Sequence, residues 1–141
     1  MENQSEKPVI CFLCTGNAAR SVMARIMFET RAPNYVAVGA GTLVLEGHPM
    51  SQRTRKALEG FEISDPAHRS LQFGEKHVEV DLVVAMEPSH IQWIRKNFPE
   101  VAPRAATLPR LVQKLPEYGS LHESITKLNL AEVEIESREE V

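Results

Sequence analysis

The 141-residue chain lacks any apolar run near the roughly 20 residues that a membrane span requires. Its longest runs, such as Pro8 to Leu13 and Leu82 to Met86, are far shorter. The first seven residues are polar and carry no apolar centre of a signal peptide. No membrane association is expected, and a cytoplasmic location is. The chain also lacks a basic excess: 16 Lys and Arg stand against 19 Asp and Glu, a formal net charge of -3. That balance argues against a nucleic-acid partner, which calls for a basic surface. Cysteine is scarce. Cys11 and Cys14 are the only two, too few and too close for a disulfide framework. In a reducing compartment such residues serve as core or as catalytic groups. His48, His68, His77, His90 and His122 show no metal-ligand spacing, so no metal is expected. Repeats and domain linkers are absent.

What is present suits one globular domain: 43% hydrophobic and 25% charged residues in a length that supports a single core. Residues 1–7 read as a loose tail and 8–141 as the domain. Val9 to Leu13 is a continuous apolar run of the kind found in parallel strands buried on both faces. Further strands are predicted at Tyr35 to Gly39, Val78 to Ala85 and Ala105 to Leu108. Apolar spacing predicts helices over Ser21 to Glu29, with a cap at Ser21 or its neighbour, and over Met50 to Leu58, closed by Gly60. A short helix is expected at Ser70 to Glu75. Two more are expected at Pro88 to Asn97 and Pro109 to Leu115. Gly39, Gly41 and Gly47 mark a loop of close backbone approach, and Asp65-Pro66 a turn. The alternation predicts an α/β fold: a four-stranded parallel sheet with helices on both faces, Rossmann-like in its winding. Residues 131–141 hold five Glu and one Arg, and their state is left open.

The stretch that carries chemistry is Cys14-Thr15-Gly16-Asn17-Ala18-Ala19-Arg20-Ser21, between the first strand and the first helix. Open α/β sheets bind ligands outside the carboxyl ends of their strands. A loop there turns backbone N–H groups inward, and the helix start adds unpaired donors and partial positive charge, making a nest for a dianion. Cys14 is placed as the nucleophile. Thiols beside an Arg and a helix N-terminus ionise well below their usual ~8.5. Arg20 offers a planar fork for two phosphoryl oxygens. Gly16 is expected to let the backbone take a positive φ, and Asn17 to tolerate left-handed dihedrals and tie the loop with its side chain. Thr15, Gly16, Asn17, Ala18 and Ala19 line the cradle with Arg20, and Ser21 donates to the sulfur. Cys11, three residues back within the strand, reads as core.

The segment Val9 to Ser21 with Met23-Ala24 resembles the N-terminal signature of the low-molecular-weight protein-tyrosine phosphatases and related arginine phosphatases and arsenate reductases. Gly39-Ala40-Gly41-Thr42, Gly47-His48-Pro49, His68-Arg69-Ser70, Asp81 to Met86 and Thr107-Leu108 extend the resemblance, over about residues 8 to 112. It implies the phosphotyrosine protein phosphatase I-like fold and a phosphocysteine intermediate on Cys14. Arg20 would bind the phosphoryl group, and no cofactor is needed. Partners would be a phosphoprotein or small phosphomonoester and inorganic phosphate or a similar oxyanion. Residues near Gly47 and His48 are implied at the substrate cleft.

Three departures stand out. The family's late Asp-Pro segment supplies the leaving-group acid, yet no Asp follows Asp81. The domain is therefore expected to be cut short before that loop and the last helix. Glu132, Glu134, Glu136, Glu139 and Glu140 are possible stand-ins, with nothing to choose among them. Ala19 replaces a second cysteine found in many relatives. Ala18 replaces the residue that helps sort tyrosine from arginine specificity. Two alternatives stay open: an acid-deficient module that binds phosphate or phosphopeptide, and an arsenate reductase-like enzyme. The latter would need resolving cysteines that the chain lacks.

Overall fold

Six consecutive apolar residues form the first strand, β1 (Val9–Cys14), at the centre of a sheet whose both faces are covered. In the computed structural model, which describes residues 7–114, β1 leads to α1 (Arg20–Arg31), β2 (Val36–Gly41) and α2 (Gln52–Glu59). Then follow β3 (Leu82–Ala85), α3 (Pro88–Asn97), β4 (Ala105–Thr107) and α4 (Leu108–Lys114). The strands lie in the order β2-β1-β3-β4, all parallel. Cys14 is opposite Gly41 in the register, and Leu13 is opposite both Ala40 and Ala85.

The strand period of two divides the core. Cys11, Leu13, Val83 and Ala85 face Ile91 and Ile94 of α3. Ile10, Phe12, Leu82, Val84 and Ala106 face the other way, toward Ala24 and Phe28 of α1 and Leu111 of α4. Val22 and Ile26, from a second side of α1, meet Met50 and Leu58, which seats α2 on α1 and not on the sheet. Cys11 is fully buried and its thiol is pushed up to about 12 by that burial, so it is an inert core residue. Among the described residues no helix is long and apolar enough to cross a membrane.

The four strands and the main helices follow the sequence reading, with local corrections. Ser70 to Glu75 does not form a helix. Gln72 bridges Gly41 as extended chain, and a single tight turn follows at Glu75–His77. Tertiary pairing to the edge of β2 overrides the local pattern there. The third strand, Leu82–Ala85, lies within the span Val78 to Ala85 that the sequence reading gave for it; just before it the Asp81 carboxylate accepts the Val9 N–H at 2.8 Å. The second helix starts two residues later than the predicted Met50: Ser51 caps it by accepting the Thr54 N–H at 3.1 Å, and Gln52 is its first residue. Residues 1–6 of the expected tail and the acidic run at 131–141 lie outside the described residues.

Three buried histidines stitch the loops to this frame. His77 accepts the Gly74 N–H at 3.0 Å and stacks on Phe73 with ring centroids 5.0 Å apart. His68 and His90 hold the segment after β1. Burial, the first cause in each case, holds all three below the ordinary histidine value of 6.5. In the unfolded chain each takes a proton near 6.5; in the folded chain, only at lower pH. The unfolded state therefore binds more protons below about 6.5, and stability is lost as pH falls through that window. Urea midpoints are expected to be lower at about pH 5.5 than at about pH 7.5, and the drop should shrink in His77→Phe. Equal midpoints across the window would contradict this account.

Candidate active site

The sheet reverses direction at β1: the chain goes out through α1 to β2 on one side and returns to β3 on the other. The carboxyl ends of β1 and β3 thus flank the topological switch point, where α/β sheets hold ligands. Cys14 ends β1, with 3% of its surface exposed. Residues 15–19 turn from there into α1. Gly41 permits the neighbouring chain to pass close, since a Cβ on it would collide with the Thr15 carbonyl oxygen and Val44.

Asn17 fixes the loop. It has a φ of 52° and is 1% exposed. Its carbonyl oxygen accepts from Ser70 Oγ at 2.7 Å and from His68 Nε2 at 2.9 Å. Its side-chain Oδ1 accepts the Leu71 N–H at 2.9 Å, and its Nδ2 donates to Ser21 Oγ at 2.9 Å. His68 Nδ1 faces Arg25 Nη2 at 3.3 Å, which leaves Nε2 as the protonated nitrogen that donates to Asn17. Arg25 is held in turn by Asp65 at 2.8 Å and Glu29 at 3.2 Å. Asp65 also accepts the His68 N–H through its carbonyl at 3.2 Å, so its role is structural, as the turn reading expected.

The sulfur sits among donors. Ser21 Oγ lies 3.0 Å from Cys14 Sγ, and the Asn17 N–H donates to the sulfur at 3.3 Å. Because Ser21 Oγ already accepts from Asn17, its own proton is available to an ionised sulfur. The loop's carbonyls turn outward. Those of Cys14, Thr15, Ala18 and Ala19 accept from the N–H groups of Thr42, Leu43, Ser51 and Met23 at 2.9–3.0 Å. The N–H groups of Gly16, Ala18 and Ala19 have no acceptor among the described residues. A segment with most of its carbonyls taken and three amides left over has the donor arrangement that a backbone nest offers an anion.

Two expectations are corrected. Gly16 does not take a positive φ; Asn17 is the left-handed residue, and its four hydrogen bonds offset the strain. Ser21 is not the helix cap. Ala19 holds that position without a side-chain bond, because the Ser21 hydroxyl is engaged with Cys14 and Asn17. Arg20 opens α1 and is exposed, and its Nη1 donates to Glu87 Oε2 at 2.6 Å. That pairing, with a bond from Ser89, holds the Glu87 carboxyl below the usual carboxylate range. Glu87 caps α3, and three residues on His90 Nε2 meets Thr15 Oγ1 at 3.0 Å. Cys14, Asn17 and Ser21 are thus linked to one another, Thr15 is tied to His90, and Arg20 is tied to Glu87. Sequence reasoning assigned no role to Arg25, His68, Ser70, Glu87 or His90. For Glu87 and His90 there was a usable signal: they begin the helix that follows β3, the other strand at the switch point.

The comparisons agree with this geometry. The family model described as low molecular weight phosphotyrosine protein phosphatase matches residues 9–122. A protein-arginine-phosphatase from Geobacillus stearothermophilus is 34% identical over 105 residues, 73% of this chain and 70% of the relative. A low molecular weight protein-tyrosine-phosphatase from Streptomyces coelicolor is 32% identical, over 64% of this chain and 59% of the relative. Among solved structures, the YwlE arginine phosphatase from G. stearothermophilus has a TM-score of 0.72 at 28% identity, covering 93% of this chain and 88% of its own. A low molecular weight protein tyrosine phosphatase from T. tengcongensis has a TM-score of 0.72 at 27% identity, covering 96% of this chain and 100% of its own. Arginine phosphatase is also represented by a cysteine-to-serine mutant whose active-site serine is phosphorylated, with a TM-score of 0.72 at 28% identity over 92% of this chain and 91% of its own. The family match over residues 9–122 and the relative 34% identical over 73% of this chain show that the chain belongs to the low molecular weight phosphotyrosine protein phosphatase family of cysteine-dependent phosphatases.

Proposed function

We propose that this chain hydrolyses phosphate monoesters on proteins, phosphotyrosine above all, through a phosphocysteine on Cys14. The observation that carries the reading is the loop itself: a sulfur 3.0 Å from the Ser21 hydroxyl and accepting the Asn17 N–H, in a loop that leaves three amides without acceptors among the described residues while most of its carbonyls are committed elsewhere. The Cys14 thiolate attacks phosphorus and the bond to the leaving oxygen breaks. Ser21 and the Asn17 N–H hold the sulfur in line. The N–H groups of Gly16, Ala18 and Ala19 take the equatorial oxygens, where negative charge is spread in a loose transition state. Arg20 has four N–H groups beyond the one that Glu87 occupies, enough for a two-oxygen contact. Water then attacks the phosphocysteine, releasing inorganic phosphate and the sulfur. The mutant relative with a phosphorylated active-site serine supports a phosphoryl group on this position.

Neither aspartate of the chain serves as leaving-group acid in this reading. Asp81 is bonded to the Val9 N–H, at the far end of β1 from Cys14, and Asp65 is paired with Arg25. An aryl phosphate with a good leaving group needs little acid help, so it tests the nucleophile and the cradle by themselves. A second reading, phosphoarginine on proteins, is favoured by the 34% identity to a protein-arginine-phosphatase. Release of phosphate from phosphotyrosine and phosphoarginine peptides of one sequence separates the two. A cytoplasmic site of action fits a single nucleophilic thiol that must stay reduced.

Hydrolysis of para-nitrophenyl phosphate is expected from the wild type and to vanish in Cys14→Ser. Arg20→Lys should lose about 10²-fold in kcat/KM, since a point charge replaces the fork. Turnover that survives Cys14→Ser would refute the mechanism. Asn17→Ala should lower stability by about 2–4 kcal/mol, from left-handed strain and the orphaned Leu71 N–H. Activity should fall in the same variant; denaturant titration beside the kinetic assay checks both.

A further inference from the structure

His90 is a buried polar side chain, 2% exposed, on a helix that otherwise turns apolar residues to the core. Both ring nitrogens are engaged. Nδ1 faces the Glu87 backbone N–H at 3.3 Å, and a backbone N–H only donates. Nδ1 is therefore the acceptor and Nε2 carries the hydrogen. Nε2 lies 3.0 Å from Thr15 Oγ1, so the Thr15 oxygen accepts. A hydroxyl that accepts keeps its own proton to donate. Thr15 is exposed, directly follows Cys14, and its O–H has no acceptor among the described residues.

We propose that the Thr15 hydroxyl is a further donor to the bound oxyanion, beyond the loop amides, and that His90 is the positioning residue that fixes its polarity. The inference rests on reading the loop as a phosphate cradle. Without His90 the hydroxyl would rotate and present a lone pair to the anion as readily as a proton. With it, the lone pair is occupied and the O–H is left over. The neutral ring has no proton to spare while Nδ1 accepts from Glu87, so His90 does not act as the leaving-group acid. Glu87 serves both ends of the loop, fixing the His90 tautomer through its backbone and Arg20 through its carboxylate.

The test is protection of the Cys14 thiol from alkylation by iodoacetate, with inorganic phosphate as the probe, which needs no turnover. Thr15→Val should raise the phosphate concentration for half-protection about tenfold or more, as expected for a lost hydrogen bond to a charged group. Thr15→Ser should restore protection to within about twofold of wild type. His90→Leu should match Thr15→Val, and the double variant should be no worse than either alone, because the two side chains act as one unit. Protection of Thr15→Val at wild-type phosphate concentrations would overturn the inference and leave the cradle standing. Additive losses in the double variant would also overturn it, for then His90 would not act through Thr15. If His90→Leu does not fold, Thr15→Val decides on its own. Absence of protection in the wild type would overturn the cradle as well as the inference.

Discussion

One left-handed residue carries the site. Asn17 takes a conformation that costs a non-glycine residue roughly 1–2 kcal/mol, and four hydrogen bonds on its own amide and carbonyl groups offset that cost. A glycine would adopt the same φ freely but would leave the Leu71 N–H and Ser21 Oγ without their partner. The carbonyl of Asn17 is drawn outward by Ser70 and His68, which turns the Ala18 N–H of the same peptide unit the other way, while the Asn17 N–H donates to the Cys14 sulfur. The direction of a loop amide is set by what happens on the opposite side of its peptide unit.

Charge around the loop is arranged in two tiers. Behind it, Arg25 is neutralised by Asp65 and Glu29 and serves to fix the tautomer of His68. In front, Arg20 pairs with Glu87, both more than a third exposed, so the contact is screened and contributes little to stability. An exposed pair of this kind holds direction more than it holds energy. The chain is mildly acidic overall, so attraction for a dianion must arise from amides and one guanidinium at short range.

The parallel sheet and the tight turn that follows its first strand were legible because each rests on local signals. The run Val9–Cys14 is apolar at every position, as only a strand covered on both faces requires, and Gly41 stands where a Cβ would strike Thr15. Whatever depended on contacts distant in sequence was not. Gly16 and Asn17 both suit a left-handed position by intrinsic preference, and partners 51 to 54 residues away select Asn17. Ser70 to Glu75 carries a helical pattern, but the edge of β2 recruits Gln72 as extended chain. The attachments of Arg20 to Glu87 and Thr15 to His90 join segments with no shared pattern. Only the rule that ligands gather at a switch point would have suggested looking for them.

The partners of Asn17 set an order of assembly. A nascent chain that has emerged only as far as Arg69 already contains the whole strand, loop and first helix, yet it lacks the Ser70 hydroxyl and Leu71 amide that turn the Asn17 peptide. In that chain the strained turn has lost two of its four supports and the amides lose their common direction. Closing a span of more than fifty residues costs chain entropy that local contacts do not return. The loop that follows Cys14 therefore takes its final shape late, after the segment from Asp65 to Gln72 has docked.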